Sequence, residues 1–283
     1  MTKIAIQGGA ASFHHQAAWR YLGDEPDALI CCETFREVCT RLVSGEADLG
    51  VMAIENSLAG GILSNYGLLA EYPLHILEET WLEIEQHLIG LPEASMDGLQ
   101  TVSSHPMALL QCSRFLDQRP ALRRVETWDT ADSVRRVAER NDPTRAAIAG
   151  RMAAQRYGLE ILAESIQDFK HNYTRFLVLS RQPNEDHAPD KASLNFSLRH
   201  QSGALAEALH LFSRNHMNLT QIQSVPIPEQ PREYTFHVDL EWQDEGVFRD
   251  TLGQLSHLSH QLKLLGTYKR GVRPDDHTTL ATA

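Results

Sequence analysis

From the third residue to about residue 180, short apolar runs alternate with stretches of helical period. The runs predict strands at 3–7, 28–32, 49–54, 100–103, 124–128, 145–149 and 173–180, with helices between them. This alternation predicts stacked β-α units around a mostly parallel sheet. Local signals fix some boundaries. Thr34-Phe35-Arg36-Glu37 has the spacing of a capping box, in which hydroxyl and carboxylate satisfy free N–H groups at a helix start. Pro106 suits a first helical position, where its missing N–H costs nothing.

Residues 181–190 (RQPNEDHAPD) carry two prolines and no periodicity, and read as a linker. Beyond it the pattern changes. Residues 191–199 (KASLNFSLR) alternate as a strand does, and Ser202 is placed to cap a helix with Leu205, Leu209 and Phe212 on one face. Strands at 219–227 and 234–240, parted by a proline-bearing turn, precede a helix with Phe248, Leu252 and Leu255 and a last strand at 262–269. The β-α-β-β-α-β order is ferredoxin-like. Residues 271–283 are polar and are expected to form a disordered tail.

A chain of 283 residues, 42% hydrophobic and 22% charged, has the makeup of a globular protein with room for two domains. Its net charge of -11, without clustered Lys and Arg, argues against nucleic acid as a partner. An anionic ligand must therefore be held by local groups. Cys31, Cys32, Cys39 and Cys112 show no metal-like spacing with the histidines and are expected to be reduced thiols. The first residues run into a strand with no export signal, and no stretch approaches the ~20 apolar residues of a membrane span. A cytoplasmic protein with no membrane partner is expected.

In open α/β sheets, ligands bind beyond the carboxyl ends of strands, where helix N-termini offer free N–H groups. There the chain places Gly8-Gly9-Ala10-Ala11-Ser12-Phe13-His14-His15, Glu55-Asn56-Ser57-Leu58-Ala59-Gly60-Gly61, Ser104-His105-Pro106, Asp129-Thr130 and Ala149-Gly150-Arg151. Taken singly, each Ser, Thr, Asp or Asn is an ordinary helix cap. Gly8-Gly9 is not a nucleotide-binding loop, lacking both G-x-G-x-x-G and the phosphate lysine. Together these ends are rich in hydroxyls and amides and poor in formal charge. Such a cleft suits a small polyoxygenated anion held by neutral donors, and calls for neither metal nor cofactor.

The segments GGAASFHHQAA (8–18), ENSLAGG (55–61), SHPMALLQC (104–112), DTAD (129–132) and NYTRF (172–176) resemble, in order, the motifs of prephenate dehydratases. From about residue 191, SGALAEAL and NLTQIQSVP resemble the regulatory ACT domain of that family. The resemblance implies an α/β catalytic domain at 1–180, bilobal like a type 2 periplasmic binding protein. One lobe is about 1–75 plus 170–180 and the other about 85–165. The linker at 181–190 and an ACT domain at 191–270 follow. It also implies a carbon–oxygen lyase that converts prephenate to phenylpyruvate, L-phenylalanine as effector, and a homodimer or homotetramer built by side-by-side pairing of ACT sheets. No fused chorismate mutase is expected, because the chain begins within the catalytic-like region.

By resemblance Thr174 is the proton donor to the departing hydroxyl, acting through a strengthening hydrogen bond. Arg175 can clamp a carboxylate. A cation on the ring carboxylate would stabilise the charge that decarboxylation must remove, so the pyruvyl carboxylate is its better partner; alternatively Arg175 forms a salt bridge that braces the hinge. Phe13 and Phe176 would wall the ring carboxylate. Ser12, Asn56, Ser57, Ser104, His105, Thr130 and Asn172 would supply neutral hydrogen bonds. Gly203, Ala204 and Leu205 match the effector loop, with Gln223 and Ser224 beside it. Three departures stand out: Ala11 replaces a family glycine, His14 replaces a serine, and the common E-S-R-P reads Gln223-Ser224-Val225-Pro226, which removes both charges. His14 is expected to bring a titration between about pH 5 and 8 to the cleft. Arogenate dehydratase and a non-catalytic bilobal amino-acid sensor are the competing readings.

Overall fold

The computed structural model describes residues 2–183, 188–198, 201–227 and 234–274. The middle of the linker, the turn after residue 227 and the tail from residue 275 lie outside the described residues. The chain opens with β1 (Lys3–Gln7), α1 (Phe13–Leu22), β2 (Ala28–Cys32), α2 (Phe35–Ser44), β3 (Leu49–Asn56), β4 (Gly60–Gly61), α3 (Leu63–Glu71) and β5 (His75–Glu83). A second group follows: β6 (His87–Gly90), β7 (Thr101–Ser104), α4 (Pro106–Gln111), α5 (Ser113–Asp117), β8 (Arg123–Glu126), α6 (Thr130–Arg140), β9 (Arg145–Ala149), α7 (Arg151–Tyr157) and β10 (Glu160–Ala163). Next comes β11 (Tyr173–Ser180), and then β12 (Lys191–Leu198), α8 (Ala204–Arg214), β13 (Asn218–Pro226), β14 (Tyr234–Glu241), α9 (Glu245–Leu258) and β15 (Ser259–Tyr268).

The described residues form three sheets. The first runs β2-β1-β3-β11-β5, the second β10-β6-β9-β7-β8, the third β13-β14-β12-β15. The chain passes from the first sheet to the second after β5 and returns after β10, so β11 closes the first sheet. Both sheets are mixed, which corrects the expected mostly parallel sheet: β11 is antiparallel to β3 and β5, and β6 is antiparallel to β9 and β10. The strands missed at the sequence level, β5, β6 and β10, supply much of that antiparallel pairing. β5 reads HILEETWLE, and its Glu78-Glu79 breaks the apolar run.

Caps set the helix starts. The Thr34 hydroxyl accepts from the Glu37 N–H (3.1 Å), and the Glu37 carboxylate reaches back to the Glu33 N–H (3.0 Å), one residue earlier than a standard capping box. Pro106 opens α4. Ser202 does not cap α8; the cap is Gly203, at φ +88°, and no side chain caps that start. A left-handed backbone there favours glycine, which turns the chain without a Cβ penalty.

The third sheet packs its apolar face, including Ala192, Leu194, Phe196, Val238 and Leu240, on α8 and α9. Its other face is also covered, because every residue of β12 is buried. That face rests on the first sheet, with β15 against β5: a Cβ on Gly266 would lie 2.1 Å from the Ile76 carbonyl oxygen. Lys263 Nζ donates to the Leu69 (3.0 Å) and Tyr72 (2.7 Å) carbonyls, satisfying the C-terminal end of α3. Gln221 donates to the Tyr66 hydroxyl (3.0 Å), and the His237 ring meets the Tyr66 ring edge-on. Residues 271–274, expected to be part of a free tail, dock on β5: the Gly271 N–H donates to Glu79 (2.9 Å), and the Arg273 guanidinium lies 5.1 Å from the Trp81 ring centre.

Gly266→Ala is expected to destabilise the protein by ~1–3 kcal/mol through this clash. Gly253→Ala, within α9 and with nothing inside 4 Å of the new methyl, should stabilise it by ~0.5–1 kcal/mol. Urea titrations of the two variants beside the wild type measure both shifts.

Candidate active site

Between the first and second sheets lies a cavity of about 430 Å³. Of the residues expected at a substrate, Ser12, Phe13, Asn56, His105, Thr130, Thr174 and Phe176 line it. Two backbone features aim them. On β11, Thr174 and Phe176 sit two apart and share one face. On β3, Ala53 and Asn56 are three apart, yet both reach the cavity, because the register with β11 shifts between Arg175 and Phe176. That bulge adds one residue to β3 and re-aims Asn56.

Asn56 is the organising amide. Its oxygen accepts from the Leu58 (3.1 Å) and Ala59 (3.0 Å) N–H groups. Its nitrogen donates to Asn172 Oδ1 (2.6 Å) and to Thr174 Oγ1 (2.9 Å). Thr174 Oγ1 therefore acts as an acceptor on the protein side. Its own hydrogen has no hydrogen-bond acceptor among the described residues and is free to be donated into the cavity.

Ser57, Ser104 and Asn172 stand behind the wall, not in it. Ser57 Oγ accepts from the Tyr173 N–H (2.9 Å), and the Ser57 N–H donates to the Tyr173 carbonyl (2.8 Å), clasping the loop after β3 to β11. Ser104 is fully buried and donates to the Ile148 carbonyl (2.6 Å), tying β7 to β9. Asn172, also fully buried, holds Asn56 on one side and donates to Gln111 (3.3 Å) on the other.

Of the two readings of Arg175, the structure supports the salt bridge and not the carboxylate clamp. Arg175 faces away from the cavity, 2% exposed, with its guanidinium bonded to Glu79 (2.6 Å), Asp239 and the Tyr268 hydroxyl (3.1 Å). The carboxylate clamp is corrected by simple alternation: neighbours in a strand point to opposite faces, so Thr174 and Arg175 cannot both reach the cleft.

His14 lines the cavity wedged between rings, 5.2 Å from Phe35 and 5.1 Å from Phe176. Burial pushes its pKa down to about 3, which corrects the expected titration between pH 5 and 8. Ala11 takes φ +67°, the left-handed conformation that explains a glycine in the family pattern. Its N–H donates to His15 Nδ1 (2.9 Å), which helps to hold this strained turn. His105 caps α4 through Nδ1, accepting from the Met107 N–H (3.2 Å), so its other ring nitrogen carries the proton.

The wall also holds Gln7, Gln86, Gln111 and Trp128, none of them among the expected site residues, and Asp129, quoted at a strand end but given no role there. Gln7 ends β1 and Gln111 ends α4 within a quoted motif, so position was the available signal. Among the described residues no lysine or arginine lines the cavity, and Asp129 is the one acidic residue that does. Burial raises its pKa, while its Oδ1 accepts from the Asp132 N–H (2.7 Å) at the start of α6. The starts of α1 and α6 meet the cavity; the neutral Ser12 hydroxyl caps the first, leaving its positive pole uncompensated, whereas the Asp129 carboxylate caps the second.

The expected effector residues lie elsewhere. Gly203, Ala204 and Leu205 form the start of α8, and the strand registers bring the exit of β12 to the end of the third sheet that carries Gln223 and Ser224. Gln223 also faces the first sheet, its side-chain oxygen 3.4 Å from where a Cβ on Gly61 would stand. Among the described residues no His, Cys, Asp and Glu cluster has the form of a metal site, and no helix is long and apolar enough to cross a membrane.

The prephenate dehydratase family profile matches residues 4–184. The chain belongs to the prephenate dehydratase family. It is 34% identical over 272 residues to the bifunctional chorismate mutase/prephenate dehydratase of Aquifex aeolicus, covering 95% of this chain and 74% of that one. Among solved structures, the prephenate dehydratase of Arthrobacter aurescens in complex with L-Phe superposes with a TM-score of 0.85 at 29% identity, covering 95% and 90% of the two chains. A protein described as a novel type of quorum-quenching acylase matches with a TM-score of 0.84 at 30% identity, covering 95% and 98%.

The pH behaviour of His14 gives a test. Its folded pKa, about 3, lies below its ordinary 6.5. The stability gained by burying a neutral ring is thus complete above about 6.5 and lost as pH falls toward 3. His14→Phe should lose stability less steeply than the wild type across that range, by up to ~1.4 kcal/mol per pH unit. Denaturant midpoints at a series of pH values measure the difference in slope.

Proposed function

We propose that this chain is a prephenate dehydratase that removes water and carbon dioxide from prephenate to give phenylpyruvate. The observation that carries the reading is the Thr174 hydroxyl, fixed as an acceptor by Asn56 with its own hydrogen left for the cavity. As the bond to the ring carboxylate breaks, its electrons complete the aromatic ring and expel the ring hydroxyl. That oxygen leaves as water only if it gains a proton, and Thr174 meets the charge as it develops. The ring carboxylate faces the apolar wall of Phe13, Ala53, Ile84 and Phe176, where no cation stabilises it before it is lost. The pyruvyl carboxylate points to the start of α1, with Ser12 and Thr130 as neutral donors. Arogenate would bring an ammonium group to a wall whose one carboxylate, Asp129, already caps a helix; prephenate is the better fit.

The first two sheets are the lobes of a bilobal catalytic region of periplasmic-binding-protein type, at about 1–75 plus 170–180 and 85–165. Residues 191–270 are an ACT domain, whose β-α-β-β-α-β order and antiparallel sheet support the assignment. The start of α8, with Gln223 and Ser224, is its L-phenylalanine site. β13 is an edge strand, which supports side-by-side pairing of two such sheets in a homodimer or homotetramer.

Purified protein supplied with prephenate should form phenylpyruvate, followed by its absorbance, and Thr174→Val should lower kcat by ~100-fold or more with KM little changed. Equal turnover by that variant would remove Thr174 from the chemistry, and an inactive wild type would favour the sensor. Adding L-phenylalanine to the same assay should lower the rate. A rate unchanged up to millimolar effector would show that Q-S-V-P no longer supports control.

A further inference from the structure

β11 carries two kinds of chemistry on opposite faces. Toward the cleft it presents Thr174. Away from it, the next residue enters a buried polar cluster shared with the third sheet. Arg175 Nε donates to Glu79 (2.6 Å) of β5, while its Nη atoms donate to Asp239 of β14 and to the Tyr268 hydroxyl (3.1 Å) of β15. Lys191 Nζ donates to the other Glu79 oxygen (2.9 Å), and Ser193 joins Asp239 to Tyr268. Arg175, Glu79, Asp239 and Tyr268 are each 2% exposed or less. The cations Arg175 and Lys191 face the buried carboxylates of Glu79 and Asp239, with the Glu241 carboxylate 3.6 Å from Lys191 at the rim. Most of the groups that fix the guanidinium belong to the C-terminal sheet.

The ladder beside Arg175 is irregular. Register with β3 shifts between Arg175 and Phe176, so backbone pairing on that side constrains the strand less than a regular ladder would. The anchoring of Arg175 makes up the constraint. We propose that Arg175 is a positioning residue for Thr174: the C-terminal sheet, through Asp239 and Tyr268, sets the height and tilt of β11 at which the Thr174 hydroxyl meets the substrate. The inference rests on the reading of Thr174 as proton donor. It makes the C-terminal unit part of the catalytic geometry, and gives any ligand that shifts the third sheet a mechanical route to the cleft that touches no substrate-binding group.

Three variants of the full chain test it. Arg175→Met should lower kcat by ~100-fold with KM within about twofold, and Arg175→Lys, able to keep one ion pair, should recover part of that loss. Tyr268→Phe deletes one oxygen outside the cavity and should lower kcat by ~10-fold, again with KM held. If Arg175→Met instead raised KM, and Tyr268→Phe left both constants at wild-type values, Arg175 would be a direct substrate ligand and the proposal would be overturned. Lower melting temperature with unchanged kcat in both variants would mark a purely structural role and overturn it equally. A second measurement needs no turnover. Amide hydrogen exchange across residues 172–177 should speed up about fivefold or more in Tyr268→Phe, with residues 3–7 unchanged. Equal exchange in wild type and variant would refute the link whatever the activity. Faster exchange in a protein inactive on prephenate would uphold the link and discard the Thr174 reading.

Discussion

The molecule depends on the two-sidedness of β11. The strand is bracketed by β3 and β5 and buried on both faces, so each residue must suit one of two different interiors. One face closes the cleft with Thr174 and Phe176. The other meets the C-terminal sheet with Arg175, Leu177 and Leu179. A displacement of the strand moves both faces. A strand at a sheet edge could adjust to a substrate alone, but a central strand with antiparallel neighbours on both sides transmits displacement across its thickness. This is why a small hydroxyl on one side and a large cation on the other belong to a single device.

The two faces also solve opposite electrostatic problems. In a chain of net charge -11, the cleft wall holds no lysine or arginine among the described residues. On the proposed mechanism, a helix start, amides and hydroxyls orient the substrate without a full counter-charge on the carboxylate that leaves. Behind the strand, full charges are concentrated and matched. Burial works against charge on both Arg175 and Asp239, but their pairing outweighs it, holding the guanidinium well above its ordinary range and the carboxylate well below. The charge excluded from the cleft is thus found one residue away, on the side where it cannot reach substrate.

Much of the fold was legible because it is encoded locally. Apolar runs located β1, β2, β9 and β11 to the residue, and the polar strand ends drew attention to loops that do line the cavity. What escaped was non-local. β5 was missed because Glu79 reads as exposed, and its burial makes sense only once Arg175 and Lys191 are known to cover it. The alternation of β12 was recognisable, but nothing in it tells whether the face bearing Lys191, Ser193 and Asn195 meets water or another sheet. His14 reads as a titratable group until Phe35 and Phe176, distant in sequence, are seen to enclose it. The clamp reading of Arg175 failed for a different reason, while its salt-bridge alternative held. Strand alternation already put it opposite Thr174, and reading T-R-F as one functional unit obscured that.

The use of charge at the seam between the first and third sheets calls for a physical reason, since well-packed apolar side chains often stabilise a buried interface as well or better. Apolar surfaces tolerate sliding, whereas a guanidinium that must satisfy Glu79, Asp239 and Tyr268 together accepts one register. The same holds for Lys263 on the carbonyls that end α3, and for Gly266, whose missing side chain lets β15 reach the backbone of β5. Each contact costs stability if the sheets shift by a fraction of a residue. On the proposed role of Thr174, geometric specificity of this kind suits a cleft whose described wall carries no Lys or Arg, because a neutral hydroxyl acts through the direction and length of one hydrogen bond, and both follow from where β11 lies.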